Sequence, residues 1–308
     1  MTAVVVTICT ARRPRELKRL LVALRAAEAS AFRAVVVVEN DPGLEGKAVC
    51  EALRDGYPCQ LVCVVEDARG FSAARNRAVA EAIRFAPDFV ASLDDDEWPD
   101  AAWLGELVRV QKQEDADIVG GPVVPVPAAA IPHWDQLAPY YGLTREVPDG
   151  GDCTLYGAGN FLARRTCFER FPGPFDAAFD GIGGEDLHFF QRLEGLGART
   201  RWAANAIVFE ETPSERLSPA WLLQRQHRRG FVSVLVAQRL RPDLLAEGRR
   251  LGRSVGALID AGARRLASRG AGQPGEYLAD LRWHYASGRL HAHLQRLRGS
   301  GSRGSERS

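Results

Sequence analysis

AVVVTICTARRPRELKRLLVAL, residues 3–24, sets two periodicities side by side. Ala3–Cys9 is a continuous run rich in β-branched residues, without the alternation of a half-exposed strand. Such a run fits a strand covered on both faces, as in a parallel sheet. Pro14 stands where a helix can start, because its missing N–H is one the first turn leaves unpaired anyway. Leucines then recur at helical spacing, and the helix is expected to run on through RAAEAS.

Working outward, Ala34–Val38 repeats the buried-strand pattern and ends in Glu39-Asn40-Asp41-Pro42. Leu61–Val65 is a third such strand, running into EDARGFSAARNRA, with a helix expected over residues 72–85. Phe89–Leu93 is the fourth, and it stops at Asp94-Asp95-Asp96-Glu97. The order strand, helix, strand, strand, helix, strand predicts an α/β fold with a mostly parallel central sheet and crossover helices. Ligands of such sheets bind beyond the carboxyl ends of the strands. The polar punctuation falls there: Thr10–Arg13, Glu39–Asp41, Asp67–Asn76 and Asp94–Glu97.

Beyond this, a helix is expected from Trp103 to about Gln113, and IVGGPVVPV reads as a strand and bend. Residues 126–150, rich in Pro and Gly, read as a long loop, and TRWAANAIVFEE as one further strand. Gly183-Gly184 precedes a helix opening at Glu185-Asp186, where carboxylates complement the helix dipole. Residues 217–298 read as helical, with Arg recurring among Leu, Val and Ala.

With 308 residues, 46% hydrophobic and 26% charged, the chain can bury a sizeable core. The expected organisation is a domain over 1–215, a helical basic region over 216–298 and a flexible tail over 299–308. The formal charge of +1 conceals an asymmetry. From Thr212 onward there are 18 Arg and Lys against 7 Asp and Glu, leaving 22 against 32 before it. An acidic body with a basic C-terminal part argues for two tasks and against a single nucleic-acid-binding surface. No apolar run approaches the roughly 18 residues of a membrane span. The first residues lack the pattern of a signal peptide, and the six cysteines lack paired CxxC spacing, so reduced thiols and a cytoplasmic location are expected. Two readings of the amphipathic basic helices stand: contact with an anionic membrane surface, or a solvated arginine face.

Asp94, Asp95 and Asp96 repel one another unless a cation offsets the charge. Mg2+ and Mn2+ prefer hard oxygen ligands, and Mg2+ takes one or two carboxylates together with substrate phosphates. Asp94 and Asp96, two apart, share a side if the chain stays extended. Glu97 reads as a solvated turn residue.

The blocks VVVTICTARRPRELKRLLVAL, VVVVEND, RGFSAARNRAV, SLDDDEWPDAAWL, GAGNFLARR and GPFDAAF…GGEDLHFFQRL occur in the order seen in family 2 glycosyltransferases. The chain resembles that family over residues 3 to about 231, and VFEETPSERLSPAWLLQRQHRRG is similar to the branch with succinoglycan-type exopolysaccharide transferases. The resemblance implies a GT-A fold, a nucleotide-sugar donor, a saccharide or lipid-linked saccharide acceptor, and an inverting hexosyl- or glycosyltransferase of cell-surface or exopolysaccharide synthesis. It implies Mg2+ or Mn2+ at Asp96 and Asp94. Donor binding falls to Thr10, Arg12, Glu39, Arg75, Asp94 and Asp95, with Glu39 standing where the family has a base-contacting Asp. Asp186 is implied as the catalytic base with Glu185 as the second candidate, and Gly183 and Gly184 as the acceptor approach. The late His that many GT-A enzymes use as a third metal ligand is missing, leaving Glu210 or phosphate and water. His188 and His227 read as packing or surface residues. Arg216, Arg228 and Arg229 are further candidates to cover the diphosphate.

Competing functions are a non-catalytic nucleotide-sugar-binding protein of the same fold, and a phosphatase or nucleotidyltransferase using the acid cluster. A nicotinamide-binding enzyme is disfavoured because no G-x-G-x-x-G follows a strand. The expected location is cytoplasmic, with peripheral contact at the inner face of the plasma membrane.

Overall fold

A computed structural model describes residues 2–27, 32–143, 147–270, 272 and 274–302. The chain divides into two compact units, Met1–Val126 with Gly142–Glu211, and Pro127–Tyr141 with Thr212–Ser308.

In the first unit the expected strands form as β1 (Val4–Thr10), β2 (Phe32–Glu39), β3 (Gln60–Val65) and β4 (Phe89–Asp94). With β6 (Ile118–Gly120), β8 (Phe161–Arg164) and β9 (Thr200–Trp202) they make a seven-stranded sheet in the order β3-β2-β1-β4-β8-β6-β9. Only β8 runs antiparallel to its neighbours β4 and β6. The β-branched run of β1 is covered on both faces, as its sequence requires. Val4, Val6 and Ile8 pack with Leu17, Leu20, Leu21 and Leu24 of α1 (Pro14–Ala26). Val5, with Val36 and Val38, packs on the other side with Ala74, Ala78 and Ala82 of α3 (Phe71–Ile83). α1 stops at Ala26, short of the expected Ser30, because Ala27 turns extended; residues 28–30 lie outside the described residues.

Three expectations are corrected. The segment between Glu39 and Leu61 holds a helix, α2 (Glu45–Arg54), hidden in the sequence because it buries little beyond Gly46 and Cys50. The stretch TRWAANAIVFEE is not one strand: it divides between β9 and β10 (Val208–Thr212), which belong to different sheets. β10 lies between β5 (Glu97–Pro99) and β7 (Val123–Pro127). The loop of residues 126–150 contains α5 (Trp134–Tyr141), which tolerates Pro139 within it. The remaining elements of this unit are α4 (Trp103–Glu114), α6 (Arg165–Glu169) and α7 (Glu185–Gly195). Asn160 joins α4 to the sheet: it accepts from Trp103 Nε1 at 2.8 Å and donates to the carbonyls of Pro122 and Ala206. Each of these buried polar groups is therefore satisfied.

The second unit consists of α5 with α8 (Pro219–Leu240), α9 (Leu244–Ala267) and α10 (Gly275–Ser302). α8 and α10 approach until a Cβ on Gly230 would stand 2.0 Å from the Tyr285 carbonyl oxygen, and one on Gly288 1.9 Å from that of His227. α10 is helical through Ser302, whereas a flexible tail was expected from Gly299; the rest of that tail lies outside the described residues. No described helix is long and apolar enough to cross a membrane.

Candidate active site

Register brings the strand ends to one edge. Thr10 pairs with Glu39, Glu39 with Val65, and Cys9 with Asp94, so the punctuation after β1, β2 and β4 meets there. At the other end of β4 a cavity of about 350 Å3 is lined by Asp88, Arg164 and Arg165. It lies away from the acids, at the sheet edge where such folds do not bind their ligands.

The chain leaves β4 at Asp94 and turns at Asp95 and Asp96, which ends the extended alternation. The Asp94 side chain is 40% exposed. Asp95 is buried between the Thr10 hydroxyl, which donates to it at 2.8 Å, and Arg13 Nη1 at 2.8 Å. Asp96 also takes Arg13 Nη1, at 2.7 Å, so one guanidinium nitrogen bridges adjacent carboxylates. Arg19 donates to the Asp96 carbonyl at 3.0 Å, pairs with Glu211, and lies 4.0 Å over the Trp98 ring. The electrostatic cost of the cluster is thus offset mainly by Arg13, the N-cap residue of α1, and by Arg75 on Asp94. Burial still pushes the Asp95 carboxyl up to about 6.

Glu97 overturns the expectation of a solvated turn residue. It is buried, and its carboxylate accepts the Asp94 backbone N–H at 2.8 Å, closing the turn from within. It stands opposite Glu210 in the β5–β10 ladder. Burial, with Asp94 and Glu210 beside it, raises its carboxyl well above the usual range and favours the protonated form.

Arg75 connects two acidic groups distant in sequence. Its Nη2 lies 3.0 Å from Asp94 Oδ1 and its Nε 3.4 Å from Glu185 Oε1. The ring of contacts around it explains the ARN block. Asn76 exchanges two hydrogen bonds with the backbone of Phe175, at 2.8 and 2.9 Å, and Asp180 caps α3 through the Ser72 N–H at 2.9 Å. These fasten the GPFDAAFDG block to α3 and hold Arg75 pointing at both carboxylates. Glu185 is buried at the first turn of α7; Asp186 is more open, and accepts from the Leu187 N–H at 2.7 Å. Burial and the adjacent Glu185 push Asp186 up to about 7. Gly183 and Gly184 have φ of +84° and +105°, a backbone that L side chains rarely adopt. Space around Gly183 is open, so conformation rather than crowding requires glycine there.

The other expected residues differ in how they present themselves. Arg12, at the rim with its side chain 79% exposed, pairs with Asp41 at 3.5 Å. Glu39 is buried and accepts from the N–H groups of Gly46 (2.7 Å) and Asp41 (3.1 Å), capping α2. Thr10, Glu39 and Asp95 are thus all buried and hydrogen-bonded within the fold at this edge. Arg13, Arg19, Glu97 and Asn76 were absent from the expected set. The position of Arg13 in the punctuation after β1, just ahead of Pro14, was the one sequence signal for it.

Among the described residues no group of three or more His, Cys, Asp or Glu is arranged to hold a metal ion. Mg2+ needs fewer: one or two carboxylates suffice when phosphates and waters complete the shell. Asp94 and Asp96 offer hard oxygens of that kind, so the donor set fits such an ion.

Comparison with known proteins agrees with this layout. The model of glycosyl transferase family 2 matches residues 4–171. The succinoglycan biosynthesis protein ExoM of Rhizobium meliloti (strain 1021) is 31% identical over 225 residues, 72% of this chain and 71% of that protein. The S. aureus TarS structure shares the fold at 15% identity and a TM-score of 0.52; this chain spans 54% of its length. A TarS structure of residues 1–349 gives a TM-score of 0.53 at 14% identity, with 96% of this chain and 92% of that one covered. The parallel sheet, the acids gathered at its carboxyl edge and these matches lead to one conclusion: the chain belongs to glycosyl transferase family 2 and is a glycosyltransferase.

Proposed function

We propose that the enzyme transfers a sugar from a nucleoside-diphosphate sugar to a saccharide or lipid-linked saccharide, with inversion, in cell-surface or exopolysaccharide synthesis. The observation that carries this is the Arg75 bridge, which holds the acid turn and the Glu185-Asp186 pair at one edge of one sheet. The kinship with a succinoglycan biosynthesis protein supports a saccharide acceptor.

The residues divide the work. The acceptor hydroxyl is a poor nucleophile until it loses its proton. Asp186 takes that proton as the oxygen attacks the anomeric carbon, and Glu185 is the second candidate. The bond from the anomeric carbon to the diphosphate breaks on the opposite side, and its electron pair leaves with the nucleoside diphosphate. A carboxyl raised to about 7 is well matched to a general base at neutral pH. Asp94 and Asp96 would hold a Mg2+ or Mn2+ ion, which supplies Lewis-acid neutralisation of the departing diphosphate. Arg12 borders the nucleotide at the rim, while Thr10, Glu39 and Asp95 shape the donor pocket from behind. Arg75 holds Asp94 beside the donor. The left-handed turn at Gly183 and Gly184 leaves open space for the acceptor ahead of Asp186. The helical region beyond residue 216 keeps a cytoplasmic enzyme peripherally at the inner face of the plasma membrane.

A panel of nucleotide sugars with Mn2+, read as nucleoside diphosphate release, tests this reading. One donor should be turned over, with the activity lost in Asp96→Ala. Undiminished turnover in Asp96→Ala contradicts the metal role.

A further inference from the structure

α9 has a satisfied inner face and an unsatisfied outer one. Inside, Glu247 accepts from Gln238 Nε2 at 2.5 Å and lies 2.6 Å from His293 Nδ1, while Ser254 Oγ lies 3.2 Å from His293 Nε2. Arg250 lies with them, donating to Glu247 and to the Arg241 carbonyl. This buried network ties α9 to α8 and α10, so the helix needs no further partner on that side. Outside, Leu245 is 76% exposed, Ile259 68%, Leu266 61% and Val255 39%. No other element carries as many exposed large hydrophobics among the described residues.

These side chains are not scattered. At 3.6 residues per turn the four fall within about 80° of arc, along a ridge roughly 30 Å long. Arg249, Arg253 and Arg264, all exposed, border one side of that ridge. Arg264 is paired with Asp260 at 2.8 Å, but Arg249 and Arg253 have no acidic partner among the described residues. The exposed half of the helix is thus itself divided into an apolar strip and a basic strip.

We infer that this face of α9 docks on an anionic lipid bilayer, with Leu245, Val255, Ile259 and Leu266 entering the headgroup–acyl boundary and Arg249 and Arg253 contacting acidic headgroups. The charge of the segment selects this occupant. From Thr212 onward there are 18 basic against 7 acidic residues, and the one carboxylate on the basic strip, Asp260, is taken by Arg264. Acidic headgroups supply the counter-charge, whereas a second copy of the same face would add further arginines. An amphipathic helix with basic residues beside its apolar strip lies in the interface plane in this manner. The inference rests on the peripheral location proposed above and needs nothing from the transfer chemistry.

Co-sedimentation of the full-length chain with vesicles tests it, comparing pure phosphatidylcholine with mixtures containing phosphatidylglycerol. The wild type should pellet with the anionic vesicles, less so at high salt. Combining Leu245→Gln, Ile259→Gln and Leu266→Gln should reduce partitioning by roughly tenfold or more, and Arg249→Gln with Arg253→Gln should flatten the salt dependence. Circular dichroism and nucleoside diphosphate release of each variant should match the wild type, since the substituted side chains are exposed. A wild type that stays in the supernatant with every vesicle overturns the peripheral location itself. Binding by the wild type and equally by the triple variant overturns this face. Loss of a dimer in the triple variant, seen by sedimentation velocity without a change in vesicle binding, gives the face to a second copy and overturns the inference.

Discussion

The two carboxylate groups of the active site solve the same problem in opposite ways. In the turn after β4, Arg13 at the N-cap of α1 and Arg75 of α3 sit against Asp94, Asp95 and Asp96, so charge is balanced locally. At the start of α7, Glu185 and Asp186 share little beyond Arg75, and the excess appears as a proton held by Asp186 up to about 7. In the proposed reaction the first cluster keeps its charge and the second exchanges a proton. The contrast can be broken at either side.

The largest effect is expected from Asp186→Asn. Removing a general base should lower kcat by about 10^2 to 10^4-fold while donor binding, followed by calorimetry, stays near that of the wild type. Next, Arg75→Met cuts the link between the groups and leaves Asp94 and Glu185 without their shared cation. Breaking a buried ion pair costs about 3 kcal/mol, measurable by urea unfolding, and Arg75→Lys should recover part of it. The third test is pH. A base acts when deprotonated, so kcat should rise as pH rises through about 7. Glu185→Gln removes the neighbouring like charge, and the rising limb should then move to lower pH.

Much of the contrast was legible before the structure. The apolar runs of β1 to β4 predicted a parallel sheet, whereas the two-residue period expected to align Asp94 with Asp96 stops at the turn, where Asp96 shares Arg13 with Asp95 and Asp94 meets Arg75. Residues whose part is set by distant partners were not legible. Arg13 reaches its carboxylates across 82 and 83 positions of chain. Glu97 reads as polar and solvated because nothing local announces that β10 will set Glu210 opposite it. Glu39 sits at a strand end like Asp94, yet the unrecognised α2 draws its carboxylate inward to the Gly46 N–H. α2 itself is short, and of its apolar positions only Cys50 is fully buried while Val49 and Leu53 pack at the edge of the core.

The smallest effect sharpens the distinction within the acid turn. Burial favours the neutral form of Glu97, so Glu97→Gln should keep the bond to the Asp94 N–H and change stability by less than about 1 kcal/mol at pH 7. The sign with pH is definite. A carboxyl with a raised folded pKa binds its proton more tightly folded than unfolded, and that contribution is lost as pH rises through the folded value. The Gln variant should therefore lose less stability than the wild type when the pH is raised.

The central claim is that metal-held donor acids and a proton-accepting Asp186 act together in sugar transfer. It is tested most directly by product formation from one nucleotide sugar and a saccharide acceptor with Mn2+, comparing wild type, wild type in EDTA, and Asp186→Asn. The expected result is a glycosylated product of inverted configuration from the wild type alone, with donor still bound by Asp186→Asn. Full transfer in EDTA, or by Asp186→Asn, would contradict it.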